Sequence, residues 1–150
     1  MSRPLQARID VSAMRSNLRA IHGPLLPRRC WAVVKADAYG PGLEAALSGF
    51  SEADGLALIE PEGAMSLRDS GWSKPILLLE GVFDASDLRA TACAGIDCVI
   101  HADWQLDLLQ QADHRDLLQK HGIRLWIKFN SGMNRLGFAV SRGLALIEQL

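Results

Sequence analysis

Residues 30–40 read CWAVVKADAYG. An apolar, partly β-branched run ends abruptly in Lys35, and a short polar link leads to Tyr39, the only tyrosine in the chain, and to Gly40. Continuous apolarity over a stretch this short marks a strand buried on both faces. Beyond the glycine, Leu43, Ala46, Leu47 and Phe50 recur at helical spacing. The stretch therefore reads as one strand–loop–helix unit.

The unit recurs along the chain. GLALIE (55–60), PILLLEG (75–81), DCVIH (97–101) and RLWIKF (124–129) are further strands of the same kind. Val11, Met14, Leu18 and Ile21 predict a helix ahead of the first strand. Asp84 and Asp87 stand where acids favour a helix start, Gly95 and Gly122 serve as helix stops, and Ser141 is placed to cap a last helix running into Leu150. Residues 102–122 read as one long helix or a broken pair. Strand–helix alternation with short links predicts an α/β fold with a parallel sheet. Two architectures meet this description, an open doubly wound sheet and a (β/α)8 barrel. A complete barrel takes roughly 250 residues. The chain has 150 and ends on ALIEQL (145–150), apolar and without a stop signal. It is therefore expected to be truncated.

Composition excludes several classes. Apolar residues make up 49% and charged residues 22%, with a formal net charge of −1. There is no basic excess for nucleic acid, no apolar run long enough for a membrane span, and no signal-like apolar core at the N-terminus. Cys30, Cys93 and Cys98 form no CxxC pair, which fits a reducing, cytoplasmic setting. Cys93, Cys98 and His101 are loosely spaced around an apolar CVI, unlike the usual zinc spacings. Core thiols beside a surface histidine are the simpler reading. Trp31, Trp72, Trp104 and Trp126 read as packing residues.

Two stretches carry chemistry. Lys35 stands at a strand end, where a solvated charge is ordinary. A lysine in a partly apolar site, however, can lose its proton and form a Schiff base with a carbonyl cofactor. IKFNSGMNRLGF (127–138) repeats the pattern: an apolar strand ends in Lys128, and a loop with Gly132 and Gly137 follows, carrying Arg135. The guanidinium offers a rigid fork of donors to a carboxylate, phosphate or phenolate. A rival signal overlaps the first stretch. GPGLEA (40–45) fits G-x-G-x-x-A, with Glu60 twenty residues after Gly40, the outline of a dinucleotide site. The polar link KADAY separates it from its strand, against the motif's geometry.

Together, AVVKADAYG and IKFNSGMNRLGF closely resemble the alanine racemase family, pyridoxal phosphate (PLP) enzymes with an N-terminal (β/α)8 barrel and a C-terminal β domain. RPLQARIDVSAMRSNLRAI, LALIEPEGAMSLRDSG and PILLLEGVFDASDL are similar to its first units. The resemblance implies that residues 1–150 are the N-terminal part of the barrel, about five strand–helix units. It implies that residues 1–10 are a strand able to pair with the β domain. Lys35 is similar to the lysine that carries PLP and acts as the base for the D-enantiomer. Tyr39 matches the phosphate-binding tyrosine. Arg135 matches the arginine near the PLP phenolic oxygen and the substrate carboxylate. Lys128 matches a lysine carbamylated in many members. The implied function is interconversion of L- and D-alanine, supplying D-alanine for peptidoglycan. It is performed by a cytoplasmic homodimer whose second base is a tyrosine from the partner's C-terminal domain. The chain by itself is expected to be inactive. Two departures stand out: Pro41 replaces the usual histidine, where it suits a first helical turn, and Asn130 replaces a common aspartate. The alternatives are a non-enzymatic PLP-binding barrel and, on GPGLEA alone, an NAD-dependent dehydrogenase.

Overall fold

A computed structural model describes residues 4–149. Helix α1 (Val11–His22) starts where Asp10 accepts from the N–H groups of Ser12 and Ala13, at 2.9 and 3.0 Å. Five strands follow: β1 (Trp31–Val33), β2 (Gly55–Leu58), β3 (Ile76–Leu78), β4 (Asp97–Ile100) and β5 (Leu125–Ile127). Between them lie a one-turn helix α2 (Lys35–Tyr39), α3 (Leu43–Gly49), α4 (Pro61–Asp69), α5 (Ala85–Cys93), α6 (Asp103–Gln110) and α7 (Ala112–His121). Helix α8 (Gly143–Gln149) comes last.

All five strands are parallel and lie in sequence order, β1-β2-β3-β4-β5. A doubly wound dinucleotide-binding sheet reverses direction to create its binding crevice. This sheet does not, which overturns the dehydrogenase reading. The two faces also differ. One carries Ala32, Val34, Leu56, Leu58, Ile76, Leu78, Cys98 and Ile100, packed with helix residues such as Leu18, Leu67, Leu88 and Leu106. The other carries Ala57, Leu77 and Val99, joined by Trp31 and Leu79, all from strands or strand ends. Helices on one face and strand side chains alone on the other are the arrangement of a barrel wall. The chain is thus α/β, with the topology of the N-terminal part of a (β/α)8 barrel.

The structure modifies several expectations. β1 ends at Val33, short of Lys35, because Val34 leaves the extended conformation, with ψ of 21°, and the backbone turns left-handed from Ala36 onward. Residues 102–122 are a broken pair, interrupted at Gln111, whose ψ of 134° is extended. Asp84 caps α5 through the N–H groups of Ser86 and Asp87, as expected. Ser141 does not cap: it lies inside a short 3-10 turn, Val140–Arg142, ahead of α8. Pro41 precedes Gly42, the residue before α3, and so sits in the turn rather than in the first helical turn. Residues 4–10 pair with no strand among the described residues, and the expected pairing with a C-terminal β domain is left untouched; residues 1–3 lie outside the described residues.

Candidate active site

The strand ends deliver the chemistry. Along β1, Ala32 faces the helices, so by alternation Trp31 and Val33 belong to the inner register; Lys35 follows two residues beyond the strand end, at the first position of α2, where its charge acts on Lys128. Along β5, Leu125 and Ile127 pack toward the helices, which assigns Trp126 and then Lys128 to the inner register. Both lysines therefore stand at the C-terminal mouth of the sheet, where barrel enzymes place their chemistry.

Directly after Lys35 the chain does something unusual. Ala36, Asp37, Ala38 and Tyr39 all have positive φ, between 51° and 60°. Four consecutive non-glycine residues form a single left-handed turn, at a cost of roughly 1–2 kcal/mol each. Such strain persists only where the surroundings over-determine it. Here the Ala38 N–H donates to Val34 O at 2.9 Å, and the N–H groups of Gly40 and Gly42 donate to Asp37 O at 3.0 and 2.9 Å. Asp37 Oδ1 accepts from Leu43 N–H at 2.8 Å, tying the turn to the start of α3. Glu60 Oε1 accepts from Ala36 N–H at 3.0 Å. Ala38 is buried, while Tyr39 remains 65% exposed.

Lys128 is half-buried, and its Nζ donates to Leu79 O at 2.5 Å. Burial pushes this amine below its ordinary value. Glu80 opposes the shift, while the positive charges of Arg135 and Lys35 add to it. Lys35, Lys128 and Arg135 thus act on one electrostatic field, with Glu80 as the counter-charge. Lys128 and Arg135 line one cleft of about 210 Å³ together with Asn130 and Met133. On its other side Arg135 lines a cleft of about 410 Å³ with His101, Trp104 and Asn134.

The loop that carries Arg135 is built, not loose. Asn130 N–H donates to Phe138 O at 2.8 Å, and Phe138 N–H to Lys128 O at 2.9 Å. Asn130 Oδ1 accepts from the N–H groups of Gly132 and Asn134. Its amide donates to Asn134 Oδ1 at 2.6 Å, a bond an ionised aspartate could not donate. Asn130 is therefore a specific fit, beyond the loss of one charge.

Lys35, Lys128 and Arg135 are brought to one mouth. Tyr39, four residues after Lys35, is exposed, with no hydrogen bond from its hydroxyl among the described residues. The mouth offers an amine, an adjoining amine of lowered basicity and a guanidinium, a donor set suited to an anionic carbonyl compound. The cysteines do not join it. Cys98 is buried, its thiol pushed up to about 12 by desolvation, and Cys93 lies near His121. His101 is not the surface residue expected: its Nε2 is buried without a hydrogen-bond partner among the described residues.

A family model described as alanine racemase, N-terminal domain, matches residues 9–150. The chain belongs to that family. It is 51% identical over 150 residues to an alanine racemase of Janthinobacterium sp. (strain Marseille), covering 100% of this chain and 40% of the relative. A catabolic alanine racemase of Salmonella typhimurium is 42% identical, with 100% and 41% covered. Among solved structures, alanine racemase from Acinetobacter baumannii superposes with a TM-score of 0.84 at 31% identity, over 95% of this chain and 42% of that one. An alanine racemase from Bartonella henselae with covalently bound pyridoxal phosphate gives 0.75 at 28% identity, over 93% and 39%. The chain thus spans about 40% of the length of the curated alanine racemases it matches.

Three residues that sequence reasoning missed, or assigned to another purpose, shape this racemase-family mouth. Glu80 faces Lys128 electrostatically. Gln105, 3% exposed, accepts from His101 N–H and donates to Glu80 O, both at 2.8 Å, tying the ends of β3 and β4 together. Glu60, noted only for the dinucleotide pattern, holds the backbone beside Lys35. A glutamine inside the apolar period of α6 was the one readable signal.

Proposed function

We propose that this chain is the cofactor-anchoring part of an alanine racemase, with PLP held on Lys35. The observation that carries the reading is the convergence of Lys35 and Lys128 just beyond the C-terminal ends of β1 and β5, with Arg135 beside Lys128. A phosphorylated aldehyde fits this donor set. The Lys35 amine holds the carbonyl carbon, and the surrounding positive charge favours an anion. When bound, PLP draws electron density from the substrate α-carbon and so makes its proton removable.

The chain's own residues then divide the work. Released from the carbonyl carbon when the amino group of alanine takes its place there, Lys35 Nζ would take or return the α-proton on one face of alanine. The Tyr39 hydroxyl donates to a phosphate oxygen. Arg135 donates to the phenolic oxygen and the substrate carboxylate. Lys128, with its lowered basicity, exposes a lone pair that can bond to carbon dioxide with release of one proton. The carbamate so formed sets a negative charge beside Arg135 and orients its fork. Inversion needs a second base on the opposite face. Tyr39, the only tyrosine in this sequence, is assigned to the phosphate; the resemblance to the alanine racemase family supplies the second base as a tyrosine from the C-terminal domain of a partner subunit in a homodimer. The setting is the cytoplasm, with D-alanine destined for peptidoglycan. Among the described residues no helix is long and apolar enough to cross a membrane.

The test is chemical trapping. The chain is incubated with PLP, reduced with borohydride and digested, and the modified peptide is mapped. The adduct is expected on Lys35 and absent from Lys35→Ala; an adduct retained in that variant overturns the assignment. A coupled D-alanine assay on the 150-residue chain is expected to show no turnover, and robust turnover would reject the need for a second subunit's base.

A further inference from the structure

The end of the β1–β2 ladder shows what holds the left-handed turn. Val34 N–H donates to Ala57 O at 2.8 Å. A parallel ladder in that register next pairs Ile59 N–H with Val34 O, and then Ala36 N–H with Ile59 O. Neither bond forms. Val34 O is taken by Ala38 N–H as the chain turns left-handed, which frees two amides at once. One carboxylate satisfies both: Glu60 Oε1 accepts from Ala36 N–H at 3.0 Å, and Glu60 Oε2 from Ile59 N–H at 3.3 Å.

We infer that Glu60 is a positioning residue for Lys35. It replaces the strand carbonyl that the turn abandons and fixes the backbone immediately after the lysine, and so fixes the direction of the lysine side chain. Asp37 fixes the far end of the same turn through Leu43 N–H. Glu60 is the one side chain from outside residues 34–43 that hydrogen-bonds this turn among the described residues. Its part in aiming the amine rests on the PLP reading of Lys35; its part in holding the turn does not.

Two measurements on the chain separate these. Hydrogen exchange at the Ala36 amide reads the clamp, and the rate of borohydride-trapped PLP capture at Lys35 reads the aim. Glu60→Ala is expected to speed exchange at Ala36 and slow capture, each about tenfold, the scale of one charge-assisted hydrogen bond. Glu60→Gln keeps the Oε1 acceptor and is expected to restore both to within about threefold of wild type. Unchanged exchange and capture in Glu60→Ala overturn the inference. So does a Glu60→Gln variant with a protected Ala36 amide but capture as slow as in Glu60→Ala, because charge and not position would then be the cause. If Glu60→Ala is unfolded by circular dichroism, Glu60→Asp, one methylene short of the amide, is judged by the same criteria. If wild type captures no PLP at Lys35, the PLP reading fails, and with it the aim; the exchange measurement alone then decides the clamp.

Discussion

The indole rings of Trp31 and Trp126 meet edge to face, with centroids 6.0 Å apart and planes at 75°, although β1 and β5 lie at opposite ends of the sheet. In a flat sheet, four strand spacings would hold them about 19 Å apart. The sheet is therefore rolled tightly enough for its first and last strands to touch across its inner face. That curl is what brings Lys35 and Lys128 to one mouth, since each lies just beyond the end of the strand that carries its tryptophan. The contact is expected to be energetically coupled. A double-mutant cycle with Trp31→Leu and Trp126→Leu, measured by urea unfolding, should give a coupling of about 0.5–1.5 kcal/mol. Additive effects would mean that the rings are neighbours without being partners.

Gly137 sets the Arg135 loop. Its φ is +105°, and a Cβ there would lie 2.9 Å from Asn130 N and from Phe129 C and 3.0 Å from Lys128 O, all backbone atoms unable to step aside. Gly132 also has a positive φ, +130°, but open space around it. Gly137→Ala is expected to cost about 1–3 kcal/mol and to deprotect the Asn130 and Phe138 amides in hydrogen exchange. Gly132→Ala should cost less and leave those amides protected. Equal effects of the two substitutions would show that backbone strain alone, not the close approach, governs the loop.

These elements differ in how far the sequence reveals them. The five strands were legible because burial on both faces leaves near-continuous apolar runs such as PILLL. The placing of Lys35 and Lys128 at strand ends was legible for the same reason, because a charge terminates each run. The choice between an open sheet and a barrel was legible only through the resemblance of AVVKADAYG and IKFNSGMNRLGF to the alanine racemase family, not through strand patterning, since it depends on the order in which strands pair. The left-handed turn was least legible. Ala36, Asp37, Ala38 and Tyr39 contain no glycine, and local preference argues against positive φ at all four. Side-chain bonds from Glu60 and Asp37 join the backbone bonds to Val34 O and Asp37 O in holding them there. Trp104 shows the same limit. Its sequence context suggests a packing residue, but it is 40% exposed and stacks on Phe83, with ring centroids 5.7 Å apart.

The lowered basicity of Lys128 gives a pH dependence with a definite sign. Burial lowers this amine from its ordinary 10.5, Glu80 opposes the shift, and Arg135 and Lys35 reinforce it. The unfolded chain then holds the proton more tightly than the folded one. Ionised Lys128 costs stability below the folded value, and the cost fades as pH rises to the unfolded value. Lys128→Met lacks this term. The stability of wild type relative to Lys128→Met should therefore rise between about pH 7 and about pH 10, as read by urea midpoints at the two values. A relative stability that falls over this interval would identify Lys128 as an ordinary ion-paired lysine.

Gln105 joins two strand ends through buried hydrogen bonds, and its chemistry allows a sharper test than deletion alone. Its Oε1 accepts from His101 N–H and its Nε2 donates to Glu80 O, with a longer bond to Val82 O at 3.4 Å. Gln105→Leu fills similar space but leaves these groups without partners, at a cost of roughly 1–3 kcal/mol. Gln105→Glu keeps the acceptor and replaces the donor with a carboxyl group. When ionised, that group sets a buried charge against Glu80 O; when protonated, it can donate to the same oxygen. Its folded value is thus raised above the unfolded one, so the variant's stability relative to wild type should improve as pH falls from about 8 toward about 5. The Gln105→Leu deficit should stay constant over that range. Parallel pH profiles for the two variants would mean that Gln105 fills space at the base of the loop without holding Glu80 in place.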